Sequence, residues 1–473
     1  MWLWLIALLM GVQGAPLPET PANPDFEQVA PSGVPAGWGL GGQGAALKFR
    51  LETATGRRGQ GGRVVPLGEI LPSDGAMLTQ AIDARPWRGK RIRLAAALKV
   101  ARPGSSVTLF VTVIRPSPAL SGNRTAPYGV ATGTGWAPLE TGLMRVADDA
   151  ETIWIGLGVF GDADVTVDDV SLEAVPMDAR ASPEADAYLT RAIDLIRANH
   201  INSARMDWPN LIAWAHKDIA GAKTSADTYD TITNLLARLG ERHSFMLTPQ
   251  QIAADGAPRF GAGGAVLEPP MPRFELVDGR FGVVRLPGLT TFGPDGEVRG
   301  KRYTATLRDA LGTLDQAPLC GWVIDLTEDT GGNMWPMLAG LDPLLGKAPF
   351  GSTVSSAGTS FWQRNPALMT SLAHADAPLA ILIGPHTASS GEITAVALIG
   401  RANVRTFGQA SAGYSTSNAT YILSDGAHLM VTSGYIRDRT GRQYAGPLTP
   451  DVAVPLADAQ AEAIRWLTPQ CKR

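Results

Sequence analysis

Cysteine is scarce in this 473-residue chain, which contains only Cys320 and Cys471. Two cysteines cannot build the framework of several disulfides that stabilises many small secreted domains. Neither cysteine stands in a metal-binding spacing and no His-Glu-x-x-His motif occurs, so no metal ligands and no cofactor are predicted. Cys320 opens an apolar run, and we interpret it as a buried structural thiol. A Cys320–Cys471 bridge is the alternative.

An excess of one charge is also absent. The formal net charge is −3 and no run of lysines and arginines occurs, which argues against binding to nucleic acid or to an anionic membrane. With 45% hydrophobic and 18% charged residues, the composition is that of a folded globular protein. Because the chain exceeds the size of one ordinary core, two or three domains are expected.

Long hydrophobic runs are limited to the N-terminus, where residues 1–14 read MWLWLIALLMGVQG. This run is shorter than the about 20 residues of a transmembrane helix and suits the core of a signal peptide. Gly14 and Ala15 suit a cleavage site, although no lysine or arginine precedes the run, and an uncleaved anchor is the alternative. We therefore predict a signal peptide over residues 1–15, a mature chain without a transmembrane segment, and export to the periplasm or the extracellular space.

Residues 20–176 have the pattern of an all-β domain. The opening, Asn23-Pro24-Asp25-Phe26-Glu27, and the last strand resemble those of jelly-roll carbohydrate-binding-like modules, which implies a β-sandwich. Trp38, Trp87 and Trp136 are candidates for glycan contact, although such tryptophans more often lie in the core. Glycines, prolines and polar clusters separate the apolar runs that predict strands, which are Ile92–Val100, Val107–Ile114, Ile153–Val159 and Val165–Leu172.

Two further segments follow. Residues 183–250 are predicted as a small helical unit, with an N-cap at Ser182 before Pro183 and a helix that Gly240 stops. Residues 255–465 alternate apolar strands with helices, which predicts an α/β domain with a buried, largely parallel sheet. The strands are Phe281–Leu286, Cys320–Leu326, Leu379–Gly384 and Val404–Phe407, and the helices are Arg302–Leu314, Met334–Leu345 and Glu392–Ile399.

Two strand-to-helix turns of this α/β segment carry groups that acyl transfer requires. Residues 325–333 contain Gly331-Gly332, and residues 384–392 contain Ser389-Ser390. Each turn brings a helix N-terminus with unpaired N–H groups to the same edge of the sheet. A serine hydroxyl from one turn can then attack a carbonyl whose developing oxyanion binds bare amides of the other. Each turn alone also fits an ordinary strand-to-helix connection.

A serine nucleophile needs a base, because its free hydroxyl is barely ionised at neutral pH. His243 lies in the loop Gly240-Glu241-Arg242-His243-Ser244-Phe245, directly after a predicted helix. His386, three residues before Ser389, is the rival base, but its own backbone makes it difficult to aim the ring at the hydroxyl. Taken alone, His243 also fits an ordinary surface histidine, so the residues by themselves leave the base open.

These motifs together resemble the serine peptidases that include the C-terminal processing (tail-specific) proteases and the tricorn core protease. The resemblance extends from about residue 183 to 460 and implies a crotonase-like core, a β-α superhelix, and a peptide or protein substrate. It makes Ser389 the nucleophile and His243 the base, in the manner of the tricorn branch, with Ser244 beside them. It assigns the oxyanion hole to the amide of Gly331, or alternatively of Gly332, together with that of Ser390.

The chain departs from the family pattern at the base and at the glycine turn. Tyr414 occupies the place of the tail-specific lysine, so a Ser–Lys dyad with a downstream lysine is excluded. Thr327 and Asp329 stand where the pattern has arginine and asparagine. No acid takes the place of the tricorn glutamate before the terminal Pro450-Asp451.

Three residues are therefore candidates for orienting His243: Asp438, Gln443 and Ser244. The segment between Thr248 and Phe281 is also too short for a PDZ domain.

The sequence predicts an exported, multidomain serine-type peptidase with an N-terminal β-sandwich, a helical unit and an α/β core. Two alternatives stay open. One is a catalytically degenerate peptidase fold that binds peptides or glycans, and the other is an esterase or amidase on the same fold.

Overall fold

The computed structural model describes residues 16–471 except 43–44, 69, 71–73, 102–105, 117–133, 161–162, 177, 254, 256–258, 261–265, 268–269, 348 and 364–370. The predicted signal peptide, residues 1–15, lies outside the described residues. None of the helices described is both long enough and apolar enough to span a bilayer. The chain forms two compact units: the first contains residues 1–190, 212–232 and 259–267, and the second contains residues 191–211, 233–258 and 268–473.

The first unit contains two antiparallel sheets that share one hydrophobic core. Its strands are β1 (Gly39–Gly41), β2 (Phe49–Thr55), β3 (Gln60–Pro66), β4 (Gly75–Asp83), β5 (Arg91–Val100), β6 (Ser106–Ile114), β7 (Ala137–Glu140), β8 (Met144–Arg145), β9 (Thr152–Phe160) and β10 (Val165–Val175). One sheet has the order β1-β4-β9-β6, and the other β2-β3-β10-β5-β7 with β8 paired to β5. Leu78 and Ile155 of the first sheet belong to the same buried cluster as Leu94 and Val165 of the second. The jelly-roll type of this β domain stays a prediction.

Two of the three candidate glycan-binding tryptophans belong to this core. Trp38 and Trp87 are buried, and their indole N–H groups donate to the carbonyl oxygens of Asn23 and Glu19 at 3.0 and 2.7 Å. A ring with both its face and its N–H group occupied inside the protein offers no surface to a sugar. Of the three, only Trp136 is partly exposed.

Helices lie around residues 180–240, as the sequence predicts. The hydroxyl of Ser182 accepts the Ala185 N–H at 3.1 Å and so caps the first long helix, which starts at Pro183. The segment predicted as one helical domain, residues 183–250, is divided between the two units. The helices up to this point are α1 (Ala45–Lys48), α2 (Pro183–Asn199), α3 (Trp208–Asp218) and α4 (Tyr229–Ala237), with a 3-10 turn at Ser225–Thr228 before α4.

The second unit is built on a six-stranded sheet of order β14-β15-β16-β19-β20-β24. Every neighbouring pair is parallel except β14 with β15, which agrees with the predicted buried parallel sheet. The strands are β14 (Arg273–Val277), β15 (Phe281–Arg285), β16 (Gly321–Asp325), β19 (Leu379–Ile383), β20 (Val404–Gly408) and β24 (Val452–Ala453), and the helices are α5 (Pro249–Ala253), α6 (Gly296–Leu314), α7 (Met334–Gly340), α8 (Ser390–Leu398) and α9 (Leu456–Leu467). The crotonase-like type of this core stays a prediction.

A second, antiparallel sheet of this unit was not predicted from the sequence. Its long central strand is β22 (His428–Asp438). This strand pairs with β11 (Phe245–Leu247), β17 (Gly351–Ser355), β21 (Thr416–Ile422) and β23 (Gln443–Tyr444). Both β11, which follows the His243 loop, and β21 therefore pair with β22. The remaining strands are β12 (Arg259–Phe260), β13 (Val266–Leu267) and β18 (Gly358–Phe361). β18 pairs with β17, whereas β12 and β13 form a separate pair in the first unit.

Cys320 is not the free thiol that we predicted. It forms a disulfide with Cys471, across 151 residues of sequence. The bridge fixes the end of the chain to the residue before β16, and Leu467 of α9 packs beside Gly321 there. No local pattern indicates this pairing, because α9 returns to the sheet only in the folded chain.

Candidate active site

Ser389 lies at the N-terminus of α8 in a strained backbone conformation. Its φ and ψ angles are 51° and −113°, a region that non-glycine residues rarely adopt. Its N–H donates to the Glu392 carboxylate at 2.9 Å, and that carboxylate also accepts the Ser411 hydroxyl and the Gly413 N–H. The buried Glu392 therefore fixes the turn in a shape typical of the sharp strand-to-helix turns that expose a nucleophilic serine.

The imidazole of His243 lies against this serine. Its Nε2 is 2.9 Å from the Ser389 Oγ, and its Nδ1 is 2.7 Å from the Thr416 Oγ1. The Asn418 side-chain amide donates to the His243 carbonyl oxygen at 2.8 Å, which holds the loop against β21. With its proton on Nδ1, the ring donates to Thr416 and presents a bare Nε2 to the hydroxyl of Ser389.

Burial controls the charge of this ring. His243 is 9% exposed, and burial lowers its pKa from 6.5 to about 4, although the negative charge of Glu241 opposes the shift. The imidazole is therefore neutral at pH 7. A neutral ring is the form that can accept a proton from a hydroxyl.

Glu241 organises the loop that carries His243. Its carboxylate accepts the backbone N–H groups of His243 and Ser244, the hydroxyl of Thr432 and the Nε2–H of His200. Burial raises the pKa of Glu241, but these hydrogen bonds outweigh burial and lower the pKa to about 2. The carboxylate is charged at neutral pH and holds the turn between α4 and β11.

The glycine turn after β16 requires glycine at two positions. Gly331 and Gly332 have φ values of 95° and 114°. A Cβ at Gly331 would lie 2.9 Å from the Ser389 Cβ, and one at Gly332 would lie 1.9 Å from the Leu289 carbonyl oxygen. The Ser390 hydroxyl donates to the Gly332 carbonyl oxygen at 2.7 Å and ties the two turns together. The turn therefore reaches the backbone of the serine only because it lacks side chains.

The three amides predicted for the oxyanion hole differ in their partners. The Gly331 N–H donates to the Asp329 Oδ1 at 3.0 Å and is already engaged. Within the described part of the chain, the N–H groups of Gly332 and Ser390 have no hydrogen-bond acceptor. Two of the three predicted amides are thus available to a substrate oxygen.

Among the described residues, the hydrogen-bond partners of the His243 ring are Ser389 and Thr416, and none of the three residues predicted to orient it. Asp438 accepts the hydroxyls of Thr440 and Tyr444, and Gln443 binds Arg437.

Asp438 ends β22 opposite Gly351, whereas the strand after the His243 loop pairs with the other end of β22, at residues 428–430. The Ser244 hydroxyl exchanges hydrogen bonds with Thr432. The structure therefore corrects the prediction: the side chain at the His243 Nδ1 is Thr416.

Two further residues bear on the assignment of the base: His386, the rival base, and Tyr414, at the sequence position of the family lysine. His386 is exposed, and the hydroxyl of Ser389 faces His243 instead. The Tyr414 ring lies beside the His243 ring, with centroids 5.4 Å apart. Tyr414, at the sequence position where the family pattern has a lysine, therefore packs beside His243.

The sequence analysis missed Thr416 and the role of Glu241. Thr416 lies 173 residues after His243, so no spacing connects the two. Glu241 was within the quoted loop, and an acid beside the unpaired amides of a tight turn is a usable signal. In the described ranges, no group of three or more His, Cys, Asp or Glu residues could hold a metal ion.

The comparisons with known proteins concern the part of the chain that contains Ser389. Residues 280–454 match the model of Peptidase family S41, a range that contains Ser389 but not His243. The nisin-resistance protein of Lactococcus lactis subsp. lactis is 28% identical over 305 residues, which cover 61% of this chain and 89% of that protein.

Two solved structures extend the comparison. A lipoprotein from Streptococcus agalactiae superposes with a TM-score of 0.53 at 25% identity and covers 61% of this chain and 98% of that one. The photosystem II D1 C-terminal processing protease superposes with a TM-score of 0.42 at 16% identity and covers 58% of this chain and 94% of that one. Residues 280–454, which include Ser389, are thus similar to peptidase family S41.

Proposed function

We propose that this protein is a serine-type peptidase whose nucleophile is Ser389 and whose general base is His243. The observation that carries the proposal is the 2.9 Å contact between the His243 Nε2 and the Ser389 Oγ. The ring is neutral at pH 7 and the serine lies between two turns with available amides. Similarity to peptidase family S41 supports the reaction class, and the geometry supports the assignment of the residues.

The proposed reaction has two steps. His243 takes the proton of Ser389 as the Oγ attacks the carbonyl carbon of the scissile bond, and the amides of Gly332 and Ser390 bind the resulting oxyanion. The imidazolium then gives its proton to the leaving amine, which departs and leaves an ester on Ser389. In the second step, His243 takes a proton from water, the hydroxide attacks the ester, and the acid is released with the proton returned to the Oγ.

Thr416 and Glu241 have supporting roles in this proposal. In the proposed tautomer, the Thr416 hydroxyl, 2.7 Å from Nδ1, accepts the Nδ1–H and Nε2 is bare. Glu241 holds the backbone of the loop and does not touch the ring. The ring therefore works with a neutral orienting group where many serine hydrolases have a carboxylate.

The proposed substrates are peptides outside the cytoplasm. The relative in Lactococcus lactis is named for nisin resistance, and we propose nisin as the first peptide to test. A disulfide between Cys320 and Cys471 fits an oxidising compartment and supports the proposal of export. Glycan contact by the β domain stays a proposal, and the buried side chains of Trp38 and Trp87 are no longer candidates for it.

The test replaces the two reacting groups and one matched histidine. Ser389→Ala and His243→Ala are expected to lower kcat for peptide hydrolysis by roughly 10³-fold or more. His386→Ala, which removes an exposed imidazole near the same serine, is expected to keep the wild-type rate. Circular dichroism and thermal melting check that each variant is folded. Full activity of a folded His243→Ala protein would refute the assignment of the base.

The same assay separates the alternative activities. Peptide amides and esters of the same sequence are compared with the wild-type protein. Turnover of the esters alone would identify an esterase. Binding of peptides or glycans without any turnover would identify a degenerate binding protein.

A further inference from the structure

Asp329 is a buried acid beside the oxyanion site that the proposed reaction does not use. It is fully buried, and its Oδ1 accepts the Gly331 N–H at 3.0 Å. Its Oδ2 is also buried and has no hydrogen-bond partner among the described residues. A carboxylate with a single hydrogen bond and an unpaired oxygen is costly to keep charged inside a protein.

The carboxyl group packs under the turn that carries the nucleophile. A Cβ at Gly391, in the first turn of α8, would lie 2.9 Å from the Asp329 Cγ. The Ala388 N–H donates to the Asp329 carbonyl oxygen at 2.9 Å. Asp329 therefore touches both turns of the site, one through Gly331 and the other through Ala388 and Gly391.

The titratable groups around Asp329 do not neutralise it. Burial and then the charge of Asp329 raise the pKa of Tyr303 of α6, a neutral phenol whose hydroxyl donates to the Pro287 carbonyl oxygen. Glu392 is the buried acid in the first turn of α8, and its oxygens accept the Ser389 and Gly413 N–H groups, whereas the Asp329 Oδ2 has no donor among the described residues. None of the described lysines, arginines or histidines forms an ion pair with Asp329.

A charged Asp329 would compete with the oxyanion for one source of positive potential. The N-terminus of α8 is the partial positive charge that stabilises the oxyanion at Ser389. Because Gly391 of that terminus contacts Asp329, a carboxylate there would lie close to the developing negative charge and oppose it. A protonated Asp329 can accept the Gly331 N–H through its carbonyl oxygen and adds no negative charge.

We propose that Asp329 is a positioning residue of the oxyanion site and that turnover requires its carboxyl group to be uncharged. The inference rests on the proposed function, because it concerns the oxyanion formed at Ser389. It assigns to Asp329 two tasks: to hold the glycine turn through Gly331 and to be neutral while it does so.

The direction of the pH dependence follows from two groups. Burial raises the pKa of Asp329 from 3.8 to about 7, although the Gly331 N–H opposes the shift. Above this pKa the carboxyl is charged and activity falls. Below about 4 the ring of His243 is protonated and activity also falls. The protein is therefore most active between these two values.

The experiment compares kcat/KM against pH for the wild-type protein, Asp329→Asn and Glu328→Gln. Asparagine has the shape of a protonated aspartic acid and does not titrate. Glu328 is the adjacent acid, largely exposed in an ion pair with Arg273, and is the matched control. We expect wild-type kcat/KM to fall about tenfold per pH unit above the pKa of Asp329. Asp329→Asn should stay level across that range, and Glu328→Gln should follow the wild-type curve.

Two results would overturn the inference. One is an Asp329→Asn protein that keeps the alkaline fall, and the other is a folded Asp329→Asn protein without activity at any pH, which would show that the charge is required. In both cases, the proposed function is still supported if the Ser389→Ala protein is inactive. If Ser389→Ala hydrolyses peptides, the proposed function itself fails.

A second measurement does not depend on the folding of a variant. Infrared spectra of wild-type protein labelled with ¹³C-aspartate should show a protonated aspartic acid that disappears with the same midpoint as kcat/KM. A midpoint that differs from that of kcat/KM, or no such band, would also overturn the inference.

Discussion

Replacing Thr416 with valine should reveal how much an orienting hydroxyl contributes to this site. Valine keeps the shape of threonine and removes the acceptor that lies 2.7 Å from the His243 Nδ1. Both side chains are buried, so the Nδ1–H would lose its partner without gaining water. A buried donor left unpaired costs about 1–3 kcal/mol.

The lost hydrogen bond matters most in the transition state, where the ring becomes an imidazolium and its Nδ1–H a stronger donor, so the cost lowers the rate. Since 1.4 kcal/mol corresponds to about a tenfold change, kcat/KM for a peptide should fall roughly 5- to 150-fold. The fall should lie in kcat, with KM nearly unchanged, because Thr416 binds the ring on the side away from Ser389. Thr416→Ser should restore most of the activity.

Two further variants make the assay specific. Thr420→Val removes an exposed hydroxyl from the same strand and should leave kcat unchanged. Thr416→Asp places a negative charge at Nδ1, which favours the imidazolium and raises the pKa of His243. The acid limb of the pH profile should therefore move upward from about pH 4. A Thr416→Val protein with wild-type kcat would refute the orienting role.

Two other predictions concern stability. In urea unfolding, Ser389→Gly should be more stable than Ser389→Ala by about 1–3 kcal/mol. Both variants lack the hydroxyl, but only glycine tolerates a φ of 51° without strain. Equal stabilities would show that the turn is unstrained. Replacing Cys320 and Cys471 with serine should lower the free energy of unfolding by up to about 5 kcal/mol, since the bridge closes a long loop. An unchanged melting temperature in both the double variant and the reduced protein would contradict a structural role for the disulfide.

The parallel sheet could be predicted closely from the sequence. The apolar run predicted over 320–326 is β16 at Gly321–Asp325, and the run over 379–384 is β19 at Leu379–Ile383. Buried strands between helices give continuous apolar runs with clear ends. The antiparallel sheet around β22 was not predicted, because its pairings join segments such as 245–247 and 428–430 that lie far apart in the chain.

The site was predictable where its chemistry is local. Ser389 and the glycine pair were assigned because each occupies a recognisable turn, and the loop of His243 follows a helix that ends in glycine. Thr416 was missed because only the folded sheet brings it to the ring. Asp438 was one of three candidates because it is the nearest acid upstream, but it lies at the opposite end of β22 from the residues that pair with β11.

The most direct measurement of the central claim is the location of a covalent adduct. Wild-type protein is treated with a fluorophosphonate probe and digested, and the modified peptide is identified by mass spectrometry. An activated Ser389 predicts one adduct, on that residue, which Ser389→Ala removes, His243→Ala slows strongly and His386→Ala leaves unchanged. An active protein that carries no adduct on Ser389, or that labels there equally fast without the imidazole of His243, would contradict the account.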